Sequence, residues 1–368
     1  MAERSASVRE VASGISAKAV PLEDLTEHCA AVLRSAGLAS QFSAVVAESL
    51  VDAEARGISS HGVARTRIYA ERLLAGMVNG AAEPVVVRED RASAHIDARN
   101  AVGHAGANAG IRLAMSRAKE GAIGAVGVSN SNHCGTLAYF TRQAAREGLV
   151  AIAMSTAPVT MVYYGGRTRA VGTNPLSLAV PRAEGQPITV DMATSATARG
   201  KILLANQLGK AIPKGWAIDV DGRPTTDASA ALAGSVTPFA GPKGSGLAMM
   251  VDLIAGAMVG GVCGDDIGDM YEDWSRPQRV GHFFIALNPD GWVGSAAFLP
   301  YVDQFAQRVH GLPPAEGFEN VLLPGEVEER AYERARTDGI QLPVNVLSDL
   351  NALALEVGSE PRLASTPQ

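Results

Sequence analysis

The sequence predicts a mixed α/β or α+β protein whose N-terminal part is helical. Apolar residues recur at helical spacing through most of the first 80 residues. Farther along, short apolar runs typical of buried strands are separated by helical patterns. No G-x-G-x-x-G pattern follows a predicted strand, so we do not expect the doubly wound parallel sheet that such a turn opens.

We predict three helices in the N-terminal part. The first extends over residues 21–36 and the second over residues 40–55, and each has a glycine just beyond its end. The third follows the polar segment over residues 57–65 and extends to about residue 75. Residues 1–20 are polar and are expected to form a loose tail.

Beyond the N-terminal helices, strands and helices alternate. We predict strands at residues 85–87, 93–97, 123–128, 149–154, 176–180, 188–190 and 283–287. We predict helices at residues 103–119, 137–146, 198–207, 243–259, 298–309, 327–337 and 346–354. Joins that contain proline predict a helical domain over residues 1–84, a central domain over residues 85–311, and C-terminal helices over residues 312–368 that pack back on the first domain.

Composition and charge indicate an enzyme of the cytoplasm. Apolar residues make up 47% and charged residues 19%, which excludes wholesale disorder. Net charge is −6 and basic runs are absent, so we expect no nucleic-acid partner. The apolar run at residues 247–262 is too short and too broken for a membrane span, and no signal peptide is expected. Three isolated cysteines fit a reducing compartment.

The segment over residues 57–65 combines a histidine with hydroxyl groups, glycine and arginine. His61 and Arg65 are four residues apart and would share one face of a helix that begins near Gly62. A guanidinium can hold a carboxylate by two hydrogen bonds while an imidazole protonates the neighbouring oxygen. The segment therefore fits a substrate with a carboxylate beside a reactive carbonyl, and it fits a capped surface helix with an incidental histidine equally well.

Two further segments open predicted helices. Residues 129–136 join a strand to a helix, and residues 241–246 form a glycine-rich turn with a lysine. Because helix starts offer unpaired N–H groups and the positive end of the dipole, both segments suit a cofactor phosphate. Asp191 closes a predicted buried strand and can orient a histidine, while Lys201 can meet a phosphate or a substrate oxygen. Helix caps and a solvated lysine are the simpler alternatives.

Several common catalytic patterns do not occur in the sequence. It has no H-E-x-x-H pattern, no CxxC pair and no cluster of Asp, Glu and His, so we expect no catalytic metal. It also has no G-x-S-x-G pattern of the kind that carries a serine nucleophile.

Taken together, these motifs resemble the malate/L-lactate dehydrogenase family that does not use a Rossmann fold, the sulfolactate dehydrogenase-like type. Its relatives include ureidoglycolate dehydrogenase, diketogulonate reductase and the cyclic imino-acid reductases. The resemblance follows chain order over nearly the whole sequence and implies a mixed-sheet cofactor domain over residues 85–311. The segments that carry it are residues 56–62, 130–133, 172–175, 191–195, 200–201, 242–244, 281–285 and 323–326.

The resemblance implies an NAD- or NADP-dependent oxidoreductase that interconverts a small 2-oxo acid and a 2-hydroxy acid, in a homodimer. It implies His61 as the proton donor, with Ser60 and Asp191 as relay partners and His133 as the second candidate donor. The ordinary histidine pKa of about 6.5 suits proton exchange near neutral pH.

The resemblance also implies two groups of binding residues. The substrate carboxylate would be held by Arg65, with Tyr69, Thr173 and Asn174 also at the substrate. The cofactor would be lined by Asn132, His133, Cys134, Gly135, Thr136, Asp191, Met192, Ala193, Thr194, Ser195, Lys201, Lys243, Gly244, Gly325 and Glu326.

Two positions depart from the family pattern and bear on substrate identity. Cys134 stands where an aromatic residue is common, and Ser-Thr-Ala-Pro at residues 155–158 replaces the more usual Asn-Thr-x-Pro. Ureidoglycolate dehydrogenase and cyclic imino-acid reductase remain alternatives on the same scaffold, although Lys201, which imino-acid reductases tend to lack, favours a carbonyl substrate. A silent nucleotide-binding protein is the non-enzyme alternative. The residues leave open the substrate, NAD or NADP, the direction of reaction, and whether His61 or His133 is the main donor.

Overall fold

Residues 16–363 are described by the computed structural model, and they form eleven α-helices and fourteen strands. The helices are α1 (Leu22–Ser35), α2 (Ser40–Ala55), α3 (Arg65–Leu74), α4 (Gly103–Gly121), α5 (Leu137–Arg146), α6 (Arg199–Gln207), α7 (Ala228–Ala233), α8 (Pro242–Val251), α9 (Ser295–His310), α10 (Glu326–Asp338) and α11 (Val344–Glu356). None of the helices within this described part is long and apolar enough to cross a membrane.

The strands range from two to nine residues. They are β1 (Ala17–Val20), β2 (Val85–Glu89), β3 (Ser93–Asp97), β4 (Ile123–Ser131), β5 (Val150–Ser155), β6 (Val159–Val162), β7 (Arg169–Gly172), β8 (Leu176–Val180), β9 (Ile188–Met192), β10 (Ala217–Ile218), β11 (Pro224–Thr225), β12 (Ser235–Val236), β13 (Val280–Leu287) and β14 (Ile340–Pro343). Apart from the helix predicted over residues 243–259, the predicted helices and the predicted buried strands lie where the sequence places them, within a few residues at each end.

Contacts divide the chain into two units, and the first draws on residues up to 74, residues 181–188 and residues from 292 onward. Its N- and C-terminal helices pack together, and His28 of α1, which is fully buried, hydrogen-bonds the carbonyl oxygen of Leu350 in α11 at 3.1 Å. The prediction of three domains, with boundaries near residues 84 and 311, stays a prediction.

A two-stranded antiparallel sheet, β1 with β14, also belongs to the first unit. The expectation of a loose tail is therefore wrong for residues 17–20, whereas residues 1–15 lie outside the described residues. The strand partner comes from more than 300 residues farther along the chain. A strand of four residues with such a distant partner leaves no periodic pattern of its own.

A seven-stranded mixed sheet, in the order β2-β3-β4-β13-β5-β8-β9, forms the centre of the second unit, which comprises residues 75–180 and 189–291. β3 and β4 pair in parallel, whereas β13 lies antiparallel between β4 and β5. This order confirms the prediction of a mixed sheet that is not doubly wound.

Small residues let α4 lie close to this sheet. The ring of Phe284 in β13 is fully buried and meets the ring of Phe140 in α5 edge-on, with the centroids 6.1 Å apart. A Cβ at Gly110 of α4 would lie 2.6 Å from the Phe284 ring, so glycine is what permits this contact. The core of the second unit is therefore assembled around the central strand, β13.

A second sheet, in the order β11-β10-β12-β6-β7, packs with α6 and α7 in the same unit. Its strands are two to four residues long, which is too short for the alternation that predicts a strand. None of them was expected from the sequence.

The helix predicted over residues 243–259 ends earlier than the sequence predicts. α8 ends at Val251 and passes into a π-helical turn, Asp252–Ala257. At this transition the buried amide of Asn174 donates to the carbonyl oxygen of Ala248 at 2.9 Å and to Asp252 Oδ1 at 2.8 Å. A side chain that hydrogen-bonds within the helical ladder is a common cause of such a turn.

A buried ion pair joins α2 and α10 in the first unit. The side chain of Arg56 is 2% exposed, and it donates to Asp52 Oδ1 at 2.9 Å and to Glu329 Oε2 at 2.6 Å. Its guanidinium also lies 4.5 Å from the centre of the Tyr332 ring.

We expect Arg56→Ala to lower the free energy of unfolding by about 3–5 kcal/mol, because it removes the cation that two sequestered carboxylates face. The matched control is Arg336→Ala, whose exposed pair with Glu333 is worth less than about 1 kcal/mol. Urea unfolding of both variants checks the difference, and equal losses would contradict it.

Gly103, the first residue of α4, supports the turn that follows β4. A Cβ at this position would collide with the carbonyl oxygens of Asn132 and His133, which are backbone atoms and cannot rotate away. We expect Gly103→Ala to cost about 1–3 kcal/mol of unfolding free energy through overpacking. Gly121→Ala, at the other end of the same helix, has open space around the new methyl group and should be neutral or slightly stabilising. Thermal unfolding of the two variants measures the contrast.

Candidate active site

The predicted catalytic residues of the first unit lie in and just after a 3₁₀ turn, Ser59–His61. α3 begins only at Arg65, so His61 and Arg65 do not share a helix face, and that expectation is wrong. They are joined in another way: Arg65 Nε donates to the carbonyl oxygen of Ser60 at 2.8 Å, and Ser60 Oγ lies 2.9 Å from His61 Nδ1. Ser60, His61 and Arg65 therefore form one hydrogen-bonded group.

Glu54, in the last turn of α2, hydrogen-bonds residues on both sides of His61. Its carboxylate accepts a hydrogen bond from Ser59 Oγ at 2.6 Å and another from the backbone N–H of Val63 at 3.0 Å. A Cβ at Gly62 would collide with the same carboxylate. These contacts fix a turn where the sequence pattern predicts the start of a helix, and nothing in the local pattern marks Glu54 as their source.

The surroundings of His61 favour its neutral form. Desolvation, and then the positive charge of Arg65, lowers the pKa of His61 to about 4. Burial also lowers the pKa of Arg65 from its ordinary value, and Tyr69, which is buried one turn along α3, opposes that shift. The expectation of an ordinary pKa for His61 is therefore corrected: at neutral pH the imidazole is ready to accept a proton.

The turn after β4 holds the second group of predicted residues, in the second unit. Asn132 is buried, and its Nδ2 donates to the carbonyl oxygen of Ala101 at 2.8 Å and to Asn100 Oδ1 at 3.0 Å. Among the residues that the structure describes, Asn132 Oδ1 is a buried acceptor with no hydrogen-bond donor. The backbone N–H of His133 donates to Gln278 Oε1 at 3.1 Å, which anchors this half-buried histidine to the segment before β13.

Asp191, near the end of β9, caps the start of α5. Its Oδ2 accepts a hydrogen bond from the backbone N–H of Ala138 at 2.8 Å. A carboxylate at this helix start would repel a phosphate, so the interpretation of residues 129–136 as a phosphate site is not favoured there. Asp191 and Met192 are exposed, and Gly135 and Thr136 lie immediately before the capped helix.

Backbone hydrogen bonds bring three separate predicted segments together in the second unit. The N–H and Oγ1 of Thr194 donate to the carbonyl oxygen of Thr173 at 2.9 and 3.0 Å. The carbonyl oxygen of Thr194 accepts from Phe239 N–H at 3.0 Å, and Gly244 N–H donates to the Phe239 carbonyl oxygen at 3.1 Å. Lys243 is exposed at the start of α8, beside this ladder.

Asn174 is fully buried, and both the nitrogen and the oxygen of its side-chain amide form hydrogen bonds within the protein. Besides the two hydrogen bonds that it donates at the π-helical turn, its Oδ1 accepts from the backbone N–H of Ala157 at 2.9 Å. This contact fixes residues 155–158, one of the two departures from the family pattern. Asn174 therefore shapes the wall at which substrate contact is predicted.

His282 of β13 links both departures, and its motif suggests no role from the sequence alone. The fully buried ring lies 2.9 Å from Ser155 Oγ at Nδ1 and 2.9 Å from Ser131 Oγ at Nε2, and Cys134 Sγ is 3.9 Å from Nδ1. Desolvation lowers the pKa of His282 to about 4, so the ring is neutral. One ring nitrogen then donates and the other accepts.

The remaining predicted residues lie in both units. Ala193 and Ser195 follow β9, where Ser195 Oγ donates to the carbonyl oxygen of Thr197 at 2.8 Å, and Lys201 is exposed in α6. In the first unit, Gly325 and Glu326 border a cavity of about 220 Å³ between residues 182–188 and 323–330. Glu326 is engaged within that unit, with Oε1 2.7 Å from His310 Nε2 and Oε2 accepting from Leu323 N–H at 3.1 Å.

Comparison with known proteins identifies the family of this chain. A family model described as malate/L-lactate dehydrogenase matches residues 20–351. The chain is 37% identical over 323 residues to ureidoglycolate dehydrogenase (NAD(+)) of Escherichia coli K12, covering 88% of this chain and 92% of that protein. It is 34% identical over 336 residues to (2R)-3-sulfolactate dehydrogenase (NADP(+)) of Chromohalobacter salexigens, covering 91% of this chain and 98% of that protein.

A solved structure supports the fold independently. Sulfolactate dehydrogenase from Methanocaldococcus jannaschii superposes with a TM-score of 0.87 at 32% identity, covering 94% of this chain and 98% of that chain. The predicted fold and the predicted class of enzyme, an oxidoreductase that uses NAD or NADP, are thereby confirmed. This chain belongs to the malate/L-lactate dehydrogenase family.

Proposed function

We propose that this enzyme interconverts a small 2-hydroxy acid and its 2-oxo acid, with His61 exchanging the proton and Arg65 holding the substrate carboxylate. The observation that carries the proposal is the hydrogen-bonded group of Ser60, His61 and Arg65, which are close together in the chain. An acid–base group beside a guanidinium matches a substrate with a hydroxyl next to a carboxylate. Ureidoglycolate, on which the relative from Escherichia coli acts by its name, is the second candidate substrate, since that relative is 37% identical over most of the chain.

Ser60 organises both functional side chains. Its carbonyl oxygen holds Arg65 Nε, which orients the guanidinium, the group that would bind the substrate carboxylate. Its hydroxyl holds His61 Nδ1. Neutral His61 can accept a proton at Nε2 when its own hydrogen is on Nδ1. In that tautomer Nδ1 donates a hydrogen bond to Ser60 Oγ.

The low pKa of His61 favours oxidation of the 2-hydroxy acid at neutral pH. The hydroxyl proton of the substrate passes to His61 Nε2 as the carbonyl group forms. A bound NAD or NADP would supply the hydride acceptor that this oxidation requires. A bound carboxylate offsets the charge of Arg65 and so raises the pKa of His61 in the complex, which stabilises the imidazolium that forms.

Residues of the second unit fit a nicotinamide cofactor. Asn132 Oδ1, the buried acceptor that lacks a donor among the described residues, suits an N–H group such as that of a nicotinamide carboxamide. The exposed start of α8, with Lys243, suits a phosphate, because helix starts present N–H groups and a positive dipole end. The predicted cofactor contacts of Asp191, Lys201, Gly325 and Glu326 are part of the same proposal.

A cytoplasmic homodimer completes the proposal. The two most buried cysteines, Cys29 and Cys134, are free thiols, as expected in a reducing compartment. Apolar side chains on α8, on the following π-helical turn and just beyond that turn support a partner surface. They are Leu247, Met249, Met250, Leu253 and Met258, which are 37–60% exposed.

The pH dependence tests the role of His61. We expect kcat/KM for oxidation to stay level from pH 9 to about pH 5 and to fall as the pH approaches 4, because protonation removes the acceptor. In contrast, kcat/KM for reduction should rise as the pH falls from 5 toward 4, since reduction needs the protonated ring. Steady-state rates in both directions give the two profiles. A midpoint near 6.5 in the free enzyme would contradict the assigned environment of His61.

Substitution separates the two candidate histidines. We expect His61→Asn to lower kcat for oxidation by about 10²–10⁴-fold, the usual worth of an acid–base group, and to leave cofactor binding intact. His133→Asn is the matched control, and it should change KM more than kcat. Nicotinamide absorbance with lactate, malate, sulfolactate, ureidoglycolate and a cyclic imino acid identifies the substrate class for these assays. If only His133→Asn abolishes turnover, the roles of the two residues are exchanged.

A further inference from the structure

We propose that Glu54 is a positioning residue for proton exchange and that it fixes His61 by holding both ends of the turn on which His61 lies. This inference rests on the proposed role of His61. Glu54 acts through the main chain and the Ser59 hydroxyl, so its contribution differs from that of an acid–base group.

The two oxygens of the Glu54 carboxylate have separate partners on either side of His61. Oε1 accepts from the hydroxyl of Ser59, two residues before the histidine, and Oε2 accepts from the N–H of Val63, two residues after it. A carboxylate offers only acceptors, and both partners are donors, so the polarity of each contact is satisfied.

The turn itself is short. Ser59–His61 is a 3₁₀ turn of three residues, and its backbone bonds are those of His61 N–H to Ile58 at 2.9 Å and of Gly62 N–H to Ser59 at 3.2 Å. Such short turns have poorer hydrogen-bond geometry than an α-helix. The two contacts from Glu54 therefore add a comparable number of bonds from a side chain that is anchored on a helix.

Packing limits the turn in a second way. Gly62 lies so close to Glu54 that a Cβ there would collide with the carboxylate. The turn cannot move toward α2, and the two hydrogen bonds prevent it from moving away. Because Arg65 Nε is bound to the carbonyl oxygen of Ser60, inside the same turn, the place of the guanidinium depends on the same support.

The shape of Glu54 matters for this role and its charge does not. In Glu54→Gln the amide oxygen can accept from Val63 N–H while the amide nitrogen donates to Ser59 Oγ, so both contacts remain. In Glu54→Ala both are lost. We expect kcat of Glu54→Ala to fall by about 10- to 100-fold, the effect of a displacement on the order of 1 Å, whereas Glu54→Gln should keep kcat close to the wild-type value.

The experiment compares kcat with the dissociation constant of NAD or NADP, measured by nucleotide fluorescence titration on the same proteins. Glu54→Ala should lose kcat while its cofactor dissociation constant stays unchanged. Glu48→Ala, which removes an exposed glutamate from the same helix, is the control and should change neither quantity. Ser59→Ala removes one of the two contacts and should give an intermediate loss of kcat, and it serves as the test if Glu54→Ala does not fold.

Three outcomes overturn the proposal. Unchanged kcat in Glu54→Ala, or in Ser59→Ala if that variant must replace it, shows that the turn needs no such support. Loss of kcat in Glu54→Gln as well shows that the charge acts and not the geometry. A cofactor dissociation constant that weakens in step with kcat shows a general scaffold role. His61→Asn, assayed beside these variants, keeps the two questions apart: if it retains activity, the role of His61 fails, whatever the Glu54 variants do.

Discussion

The pairing of β13 with both β4 and β5 is the interaction on which the second unit depends. β13 comes from residues 280–287, yet it lies antiparallel between two strands that precede it by more than 120 residues. One face of β13 carries both Phe284, which lies in the core, and His282, which lies between the two serines of the neighbouring strands. The same strand therefore contacts the core and the ends of β4 and β5, which lead into the two segments that depart from the family pattern. A long-range pairing of this kind is specified by burial and by the alternation of side chains, because a slip of one residue would exchange the two faces.

His61 and His282 share one electrostatic feature, which is that burial disfavours the charged form of the imidazole. His61 and His282 both have a pKa near 4, and burial is the largest cause for each. The consequences differ because of their neighbours. His282 is enclosed by hydroxyl groups and serves as a fixed neutral connector, whereas His61 is partly buried beside Arg65, whose charge an anionic substrate would offset. One physical effect thus produces a structural histidine in one unit and a candidate proton acceptor in the other.

The sequence predicts the elements whose pattern is local, and it does not predict those whose partners are distant. The long helices and the strands of the large sheet have apolar periodicity over many residues, so their positions follow from the sequence. β1 has four residues and a partner at residues 340–343, and its pattern is uninformative. The start of α3 is displaced to Arg65 by the carboxylate of Glu54, a tertiary contact that no local propensity expresses. Ser60, His61 and Arg65 are found because they are close in the chain, whereas His282 becomes meaningful only when three strands are assembled.

The packing of Cys134 has a consequence for covalent reactivity. Its thiol lies against His282, an arrangement that in an open cleft would generate a thiolate nucleophile. Here burial, together with the negative charge of Asp191, raises the pKa of Cys134 to about 12, so the thiol keeps its proton at neutral pH. The sulfur is therefore a packing atom that resists alkylation and oxidation to a sulfenic acid. An electrophile aimed at cysteine would meet Cys263 first, the one thiol of the described chain that solvent reaches in part.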